Sequence, residues 1–281
     1  MKLKWDKFSL DFSKKTHIMG VLNITPDSFS DGGMHFDKSS AVDHALRMID
    51  DGADILDIGG ESTRPGSDPV SLDEELRRTI PVIEALAKNI SIPVSIDTYK
   101  SEVAVRALEA GASIVNDISG MRFDPEMPTI ISRFKVPVVI MHIKGTPKSM
   151  QVNPTYKALV PEVMDYFRAS IRLAAKSGIP DDMIMLDPGI GFGKTYEHNL
   201  EIINNLDQFS LLEKPLLIGP SRKAFLGKIL GNLPANERLE GTAAAVAISI
   251  IKGAHIVRVH DVKEMARVAK VADAIKHQRI L

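Results

Sequence analysis

The sequence predicts an α/β protein built as a (β/α)8 TIM barrel, and three observations carry that prediction. Short apolar, β-branched runs ending in Asp, Asn, His or Gly alternate with segments of helical period. There are eight such runs, and a length of 281 residues suits eight strand–helix units. The runs are almost continuously apolar, as strands of a parallel sheet covered on both faces must be. A doubly wound open sheet is the competing arrangement on the same pattern.

Taken in order, residues 1–15 stand outside the alternation. Phe8, Leu10 and Phe12 fall on alternate positions, so this segment reads as a β-hairpin capping the barrel bottom. The strands then read as residues 17–23, 54–59, 93–97, 113–116, 137–142, 183–187, 215–219 and 256–260. Helices read as 39–51, 72–89, 101–110, 156–177, 234–252 and from 261 to the C-terminus. The first places Val42, Ala45, Leu46 and Ile49 on one face and stops at Gly52. The second opens with Asp73, Glu74 and Glu75, which favour a helix N-terminus. Gly111, Gly178 and Gly253 follow three of the others. No linker or low-complexity tract divides the chain, so residues 1–281 read as one domain.

Composition excludes several function classes. Lys and Arg total 35 against 36 Asp and Glu, which leaves no electrostatic footprint for nucleic acid or an anionic membrane. With no cysteine, disulfides, thiolate catalysis and Cys-based metal sites are absent. The N-terminus lacks a signal peptide's apolar run, and no stretch reaches the ~18 apolar residues of a membrane span. The expectation is a soluble, cytoplasmic protein.

Polar residues gather at the strand ends: Asn23, Asp57, Asp97, Asn116, Asp117, His142, Asp187, Arg258 and His260. Barrel active sites lie at that end. Side chains alternate along a strand, so Ser95 shares a face with Asp97, Met185 with Asp187, and Arg258 with His260. If the neighbouring valines pack outward, Arg258 and His260 line the mouth as an anion clamp. Any single strand-end Asp can instead be a helix cap, His142 can be a satisfied core histidine, and an Arg-x-His pair can be a solvated surface pair. The stretch GIGFGKT, residues 189–195, fails the P-loop spacing because Pro188 stands where the first glycine is required. It reads as a tight turn near a ligand. Ser221, Arg222 and Lys223 stand where a helix begins after the seventh strand, a place where backbone N–H groups favour anions.

The segments IMGVLNITPDSFSDGG (18–33) and GADILDIGGESTRPG (52–66) closely resemble the two long signatures of the dihydropteroate synthases. SIDTYK, NDISG, MH, LDPGIGFGK, SRKAF and RVHDV follow in the family's order. The resemblance implies a TIM barrel that forms a homodimer. It implies a transferase of folate synthesis that joins 6-hydroxymethyl-7,8-dihydropterin diphosphate to p-aminobenzoate, releases diphosphate in an SN1-like displacement, uses Mg²⁺, and is blocked by sulfonamides. Asp97, Asn116, Asp187 and Lys223 would hold the pterin ring, with Ile118, Met141 and Phe192 as apolar walls and Gly219 allowing close approach. Asn23, through Mg²⁺, and Arg258 and His260 would bind the diphosphate. Thr63, Arg64 and Pro65, with Phe29 and Asp31 from the first loop, would close over the reacting centre. Catalysis would rest on Asp31, Arg64, Asp97, Lys223, Arg258 and His260. Ser221 and the backbone near it would face p-aminobenzoate; Ala224 stands where many members have Ser, which would leave the adjoining helix N-terminus to meet the ligand's carboxylate in place of a hydroxyl. The loops 25–36 and 60–69, rich in Gly, Ser, Pro and Asp, are expected to be mobile until the charged ligand orders them. A related pterin-binding methyltransferase module and a non-catalytic pterin carrier are the alternatives, and TPDSFSDGG, STRPG and SRKAF favour the synthase.

Overall fold

A computed structural model describes residues 1–25 and 38–280. Strands β1 (Lys2–Trp5) and β2 (Phe8–Asp11) form an antiparallel hairpin. Eight further strands follow: β3 (His17–Asn23), β4 (Ile55–Gly59), β5 (Val94–Asp97), β6 (Ile114–Asp117), β7 (Val138–Met141), β8 (Ile184–Asp187), β9 (Leu217–Ile218) and β10 (Ile256–Val259). They form one parallel sheet in the order β8-β7-β6-β5-β4-β3-β10-β9. A bridge between Leu186 and Leu216 brings the two ends together, with Leu186 N–H donating to Pro215 O at 2.9 Å. Sequential order with meeting ends is a barrel, and it rules out the doubly wound alternative. The seam is the weakest part of the sheet. Pro215 and Pro220 flank β9 and offer no N–H, so the ladder there is only two residues long.

The helices are α1 (Lys38–Asp50), α2 (Leu72–Ala87), α3 (Ser101–Glu109), α4 (Met127–Phe134), α5 (Leu159–Lys176), α6 (Tyr196–Asn204), α7 (Ala224–Ile229), α8 (Leu239–Ile251) and α9 (Val262–His277). The helix-stopping glycines behave as read, since Gly52, Gly111, Gly178 and Gly253 all have positive φ. Helices α4 and α6 escaped the sequence reading because eight or nine residues complete little more than two turns of periodicity, whereas the start of α7 falls where a helix is read after the seventh strand. The expected helix over 234–252 starts late. Residues Ala235–Glu237 form a separate 3-10 turn after Pro234 before α8 begins.

Alternation along the strands sorts the core into two parts. Outward residues such as Leu22, Ile58, Ile96, Val115, Ile140, Leu186 and Val257 pack against the helices. Inward residues Met19, Ile55, Ile114, Val139, Met185, Leu217 and Ile256 form a separate layer across the barrel. The hairpin closes this layer from below with Leu3, Trp5, Leu10 and Phe12, as the alternation of Phe8, Leu10 and Phe12 required. Further up the strands the inward residues include Asn23, Asp57, Asp97, Asn116, Asp187 and Arg258, so the opposite end is the open, functional one. Replacing Leu10, which is 4% exposed, with Ala is expected to cost about 2–5 kcal/mol in urea unfolding. Turnover well below the unfolding transition should be unchanged, because the lost contacts lie at the far end from the mouth.

Candidate active site at the barrel mouth

The inward positions above the apolar layer are held by one cation. Arg258, on β10, donates through Nε to Asp57 Oδ2 at 2.6 Å and through Nη2 to Asp97 Oδ2 at 2.7 Å. Asn116 Nδ2 donates to the same Asp57 oxygen at 3.0 Å. Asp57 is fully buried, whereas the Arg258 side chain is 21% exposed to the mouth. Burial opposes the Arg258 charge, but Asp57 and Asp97 outweigh it and strengthen the guanidinium's hold on its proton. Burial pushes the Asp97 carboxyl upward, and Arg258 opposes that shift. Asp97 Oδ1 is buried and accepts no hydrogen bond from the described residues, which leaves an acceptor for a ligand's N–H.

Asp187 ends β8 opposite this pair. Its Oδ1 accepts the Gly189 N–H at 2.7 Å, and burial raises its pKa to about 6 against the pull of that bond and of Lys223. Gly189 has φ +70, and a Cβ there would lie 2.0 Å from His142 O, so no other residue fits this turn. The turn brings Phe192 under Lys223, whose Nζ stands 4.3 Å from the ring centroid. Lys223 is lowered to about 8 by burial and by Arg258, while Asp187 and Asp97 oppose the shift. Ile118, Met141, Ile143 and Met150 form a separate apolar cluster, with Tyr99 and Phe192 packed on it. The predicted pterin residues Asp97, Asn116, Ile118, Met141, Asp187, Phe192 and Lys223 therefore do gather at one end of the barrel. Gly219 adjoins Arg258, with its hypothetical Cβ 3.7 Å from Arg258 Cβ.

His260 and Ser221 form a second polar group. Ser221 Oγ lies 3.0 Å from His260 Nδ1 and accepts the His260 backbone N–H at 3.2 Å. The hydroxyl and Nδ1 share one hydrogen bond, which holds the ring in place. Burial and Arg258 lower His260 to about 3, so its ring is neutral rather than a second cation. Arg222 turns away from the mouth and pairs with Asp261. The helix expected to present its N-terminus to an anion, α7, has only six residues, and Lys223 occupies its N-cap. Its dipole is correspondingly weak, and the anion-binding role read for that terminus does not stand on helix geometry. Ala224 is exposed there.

Asn23, at the end of β3, reaches the same mouth. A Cβ on Gly59 would lie 3.7 Å from Asn23 Oδ1 and 3.5 Å from Asp97 Cβ. Among the described residues no cluster of three metal-ligating side chains is present. Thr63 is half-buried, and Arg64 and Pro65 are exposed on the loop after β4. Arg64 is close enough to Lys223 for its charge to help lower the lysine. Phe29 and Asp31 lie outside the described residues.

Several residues carry more than the sequence reading gave them. Asp57 is the hub that holds Arg258 and Asn116, and it caps no helix. The alternation that paired Ser95 with Asp97 also pairs Asp57 with Ile55, and that was the available signal. Asp117, by contrast, is a local staple that accepts Ser119 N–H, Ser119 Oγ–H and Met121 N–H. His142 is a buried residue held by Lys194 Nζ at 2.9 Å. Lys194 also donates to Phe192 O at 3.1 Å and so fixes the turn from behind.

Known proteins share this arrangement. A family model described as a pterin binding enzyme matches residues 19–260. A dihydropteroate synthase of Synechocystis sp. is 50% identical, covering 94% of this chain and 92% of its own. The Yersinia pestis dihydropteroate synthase, solved as a sulfonamide drug complex, superposes with a TM-score of 0.94 at 41% identity, covering 99% of this chain and 100% of that one. The Xanthomonas albilineans dihydropteroate synthase in complex with 7,8-dihydropteroate gives a TM-score of 0.86 at 38% identity, over 95% of this chain and 96% of that one. With matches of this extent, the chain belongs to the dihydropteroate synthases of the pterin-binding enzyme family.

Proposed function

We propose that the barrel mouth joins 6-hydroxymethyl-7,8-dihydropterin diphosphate to p-aminobenzoate, giving 7,8-dihydropteroate and diphosphate. The observation that carries this reading is the pair of buried acceptors, Asp97 and Asp187, set around an apolar wall of Ile118, Met141 and Phe192. The 2-amino-4-oxo edge of a pterin presents N–H donors to such carboxylates and a carbonyl to Lys223. The flat ring suits the apolar wall.

An aromatic amine is neutral at neutral pH, so its nitrogen needs no base before it attacks. The harder step is loss of diphosphate from the pterin methylene. Asp97 and Asp187 offset positive charge growing on the ring, which favours an SN1-like displacement. His260 and the exposed part of Arg258 meet the departing phosphate oxygens. The Asn23 carboxamide oxygen, which has no hydrogen bond from another described residue, is a hard donor of the kind Mg²⁺ accepts. Together with the substrate's phosphates it would hold Mg²⁺, which when bound neutralises charge on the leaving group. Sulfonamides would compete at the p-aminobenzoate side, beside Ser221 and the loop carrying Thr63, Arg64 and Pro65.

The reading extends to assembly. Helices α8 and α9 pack together, and Ile248, Ile251, Val271 and Ile275 remain 48–66% exposed on them. This apolar face is the surface for a homodimer. Among the described residues no helix is long and apolar enough to cross a membrane. We place the enzyme in the cytoplasm with its small-molecule substrates.

The reading is tested by incubating the chain with both substrates and following diphosphate release. Turnover is expected, excess chelator should remove most of it, and added Mg²⁺ should restore it. Arg258→Gln should lower kcat/KM by about 100-fold or more, since it removes charge stabilisation of the leaving group and leaves Asp57 and Asp97 unpaired. No turnover by the unaltered chain would overturn the reading.

Pterin recognition has its own pH signature. Asp187 is acceptor-only at both oxygens, with charge-assisted bonds to ring N–H groups, only when ionised, and its pKa is raised to about 6. Calorimetric pterin affinity should therefore be constant above that pH and weaken as pH falls through it. Asp187→Asn turns an NH₂ toward the ring donors, a mismatch of roughly 1–3 kcal/mol, or about tenfold or more in affinity. The variant's residual affinity should lose the Asp187 contribution to the step near that pH. Sedimentation of Ile275→Asp, placed on the α9 face, should show monomer where the unaltered chain shows dimer.

A further inference from the structure

We propose that Lys100 is the positioning residue of the loop that carries Thr63, Arg64 and Pro65, and that it acts by clamping the loop's two ends together on one half-buried ammonium. Lys100 Nζ lies 2.5 Å from Glu61 Oε2, 2.5 Å from Glu75 Oε2 and 2.9 Å from Val70 O. Glu61 opens the loop and Val70 closes it. The same Glu61 Oε2 accepts the Val70 N–H at 3.1 Å, and Glu61 Oε1 accepts the Tyr99 hydroxyl at 2.7 Å. Ten residues, 61–70, are thus gathered at a neck as in an Ω-loop.

The neck is seated, not merely closed. Gly60 lies so near α2 that a Cβ would come within 2.8 Å of Thr79 Cγ2, and its carbonyl accepts Arg78 Nη1 at 2.8 Å. Glu61 and Glu75 are buried, so the ammonium between them is poorly screened. Burial works against that ammonium, and the two carboxylates outweigh it. Beyond the neck the loop holds itself, with Ser67 bonded to the carbonyls of Ser62 and Arg64. Its tip touches the rest of the mouth through Gly66 N–H to Pro147 O at 3.1 Å and through an exposed Asp68–Lys148 pair, which contributes little. The tip is therefore a lever whose angle is set at Lys100. Tyr99 also packs on the apolar cluster of Ile118 and Met141, so the clamp is fastened to the wall assigned to the pterin.

The inference rests on the proposed function, in which the loop completes the p-aminobenzoate side. The test is steady-state kinetics in both substrates, with calorimetric pterin binding measured on the same preparations. Lys100→Met should raise KM for p-aminobenzoate about tenfold and leave pterin affinity within about twofold. Lys100→Arg should restore KM to within about threefold. Tyr99→Phe, which keeps the ring and removes one bond to Glu61, should raise the same KM about threefold and covers the case in which Lys100→Met does not fold. Unchanged KM in the folded variants overturns the clamp, as does a parallel loss of pterin affinity and KM, which marks a general structural role. Absence of turnover in the unaltered chain would instead overturn the functional reading itself.

Discussion

One guanidinium, inside the barrel and touching two strand-borne carboxylates, governs the mouth of this protein. Arg258 reaches from β10 to Asp57 on β4 and Asp97 on β5, across the interior. Neither carboxylate could be buried and ionised alone, because desolvation would outweigh any local gain. With the cation present, Asp57 holds Asn116 in place and Asp97 keeps one oxygen unengaged. A charge network that is neutral or nearly so would be a structural plug. Two carboxylates against one cation leave an acidic excess, and the excess sits where a donor-rich ring edge is to be read.

That excess is useful only because strand parity aims it. A one-residue slip in any strand would turn its inward residue out toward the helices. The register places Asp57 beside Ser95, Asp97 beside Asn116, and Met141 beside Asp187. Below these, the inward residues are apolar and closed off by the hairpin, so water reaches the polar layer from one side only. The same architecture thus supplies both low dielectric, which raises Asp187 and lowers Lys223, and a single entrance.

Much of this was legible in the sequence. Strand count, strand ends and the pairing of Arg258 with His260 followed from period-two patterning and the positions of glycine. What did not follow depends on distances between strands far apart in the chain. Nothing in the residues around Asp57 says that Arg258, 201 positions later, donates to it. Nor does the sequence show that His260 is neutral. That depends on burial and on Arg258, both of which are products of folding. Short helices were missed for a different reason. The segment Tyr196–Asn204 is held at its start by a Thr195–His198 capping box, and a cap of His in place of Glu or Gln gives a weak sequence signal.

The division between strands and loops has a mechanistic consequence. Apart from Lys223 at the N-cap of α7, groups assigned to the pterin lie at or next to strand ends or on the tightly bonded turn 187–195, where Asp187, Asn199, Tyr156 and Lys194 hold the backbone at successive points. Apart from Ser221, which is held by His260, the groups assigned to p-aminobenzoate among the described residues lie on a loop held at its neck and lightly at its tip. A rigid site pays little ordering entropy and can bind its ligand without rearrangement, whereas a loop that must settle penalises whatever binds to it. The charged pterin diphosphate has electrostatic contacts to offset such a penalty, and the small aromatic acid has few. Binding the diphosphate first, against Arg258 and His260, would let its charge settle the loops before the weaker ligand arrives. We propose that the order of addition follows from where rigidity was placed.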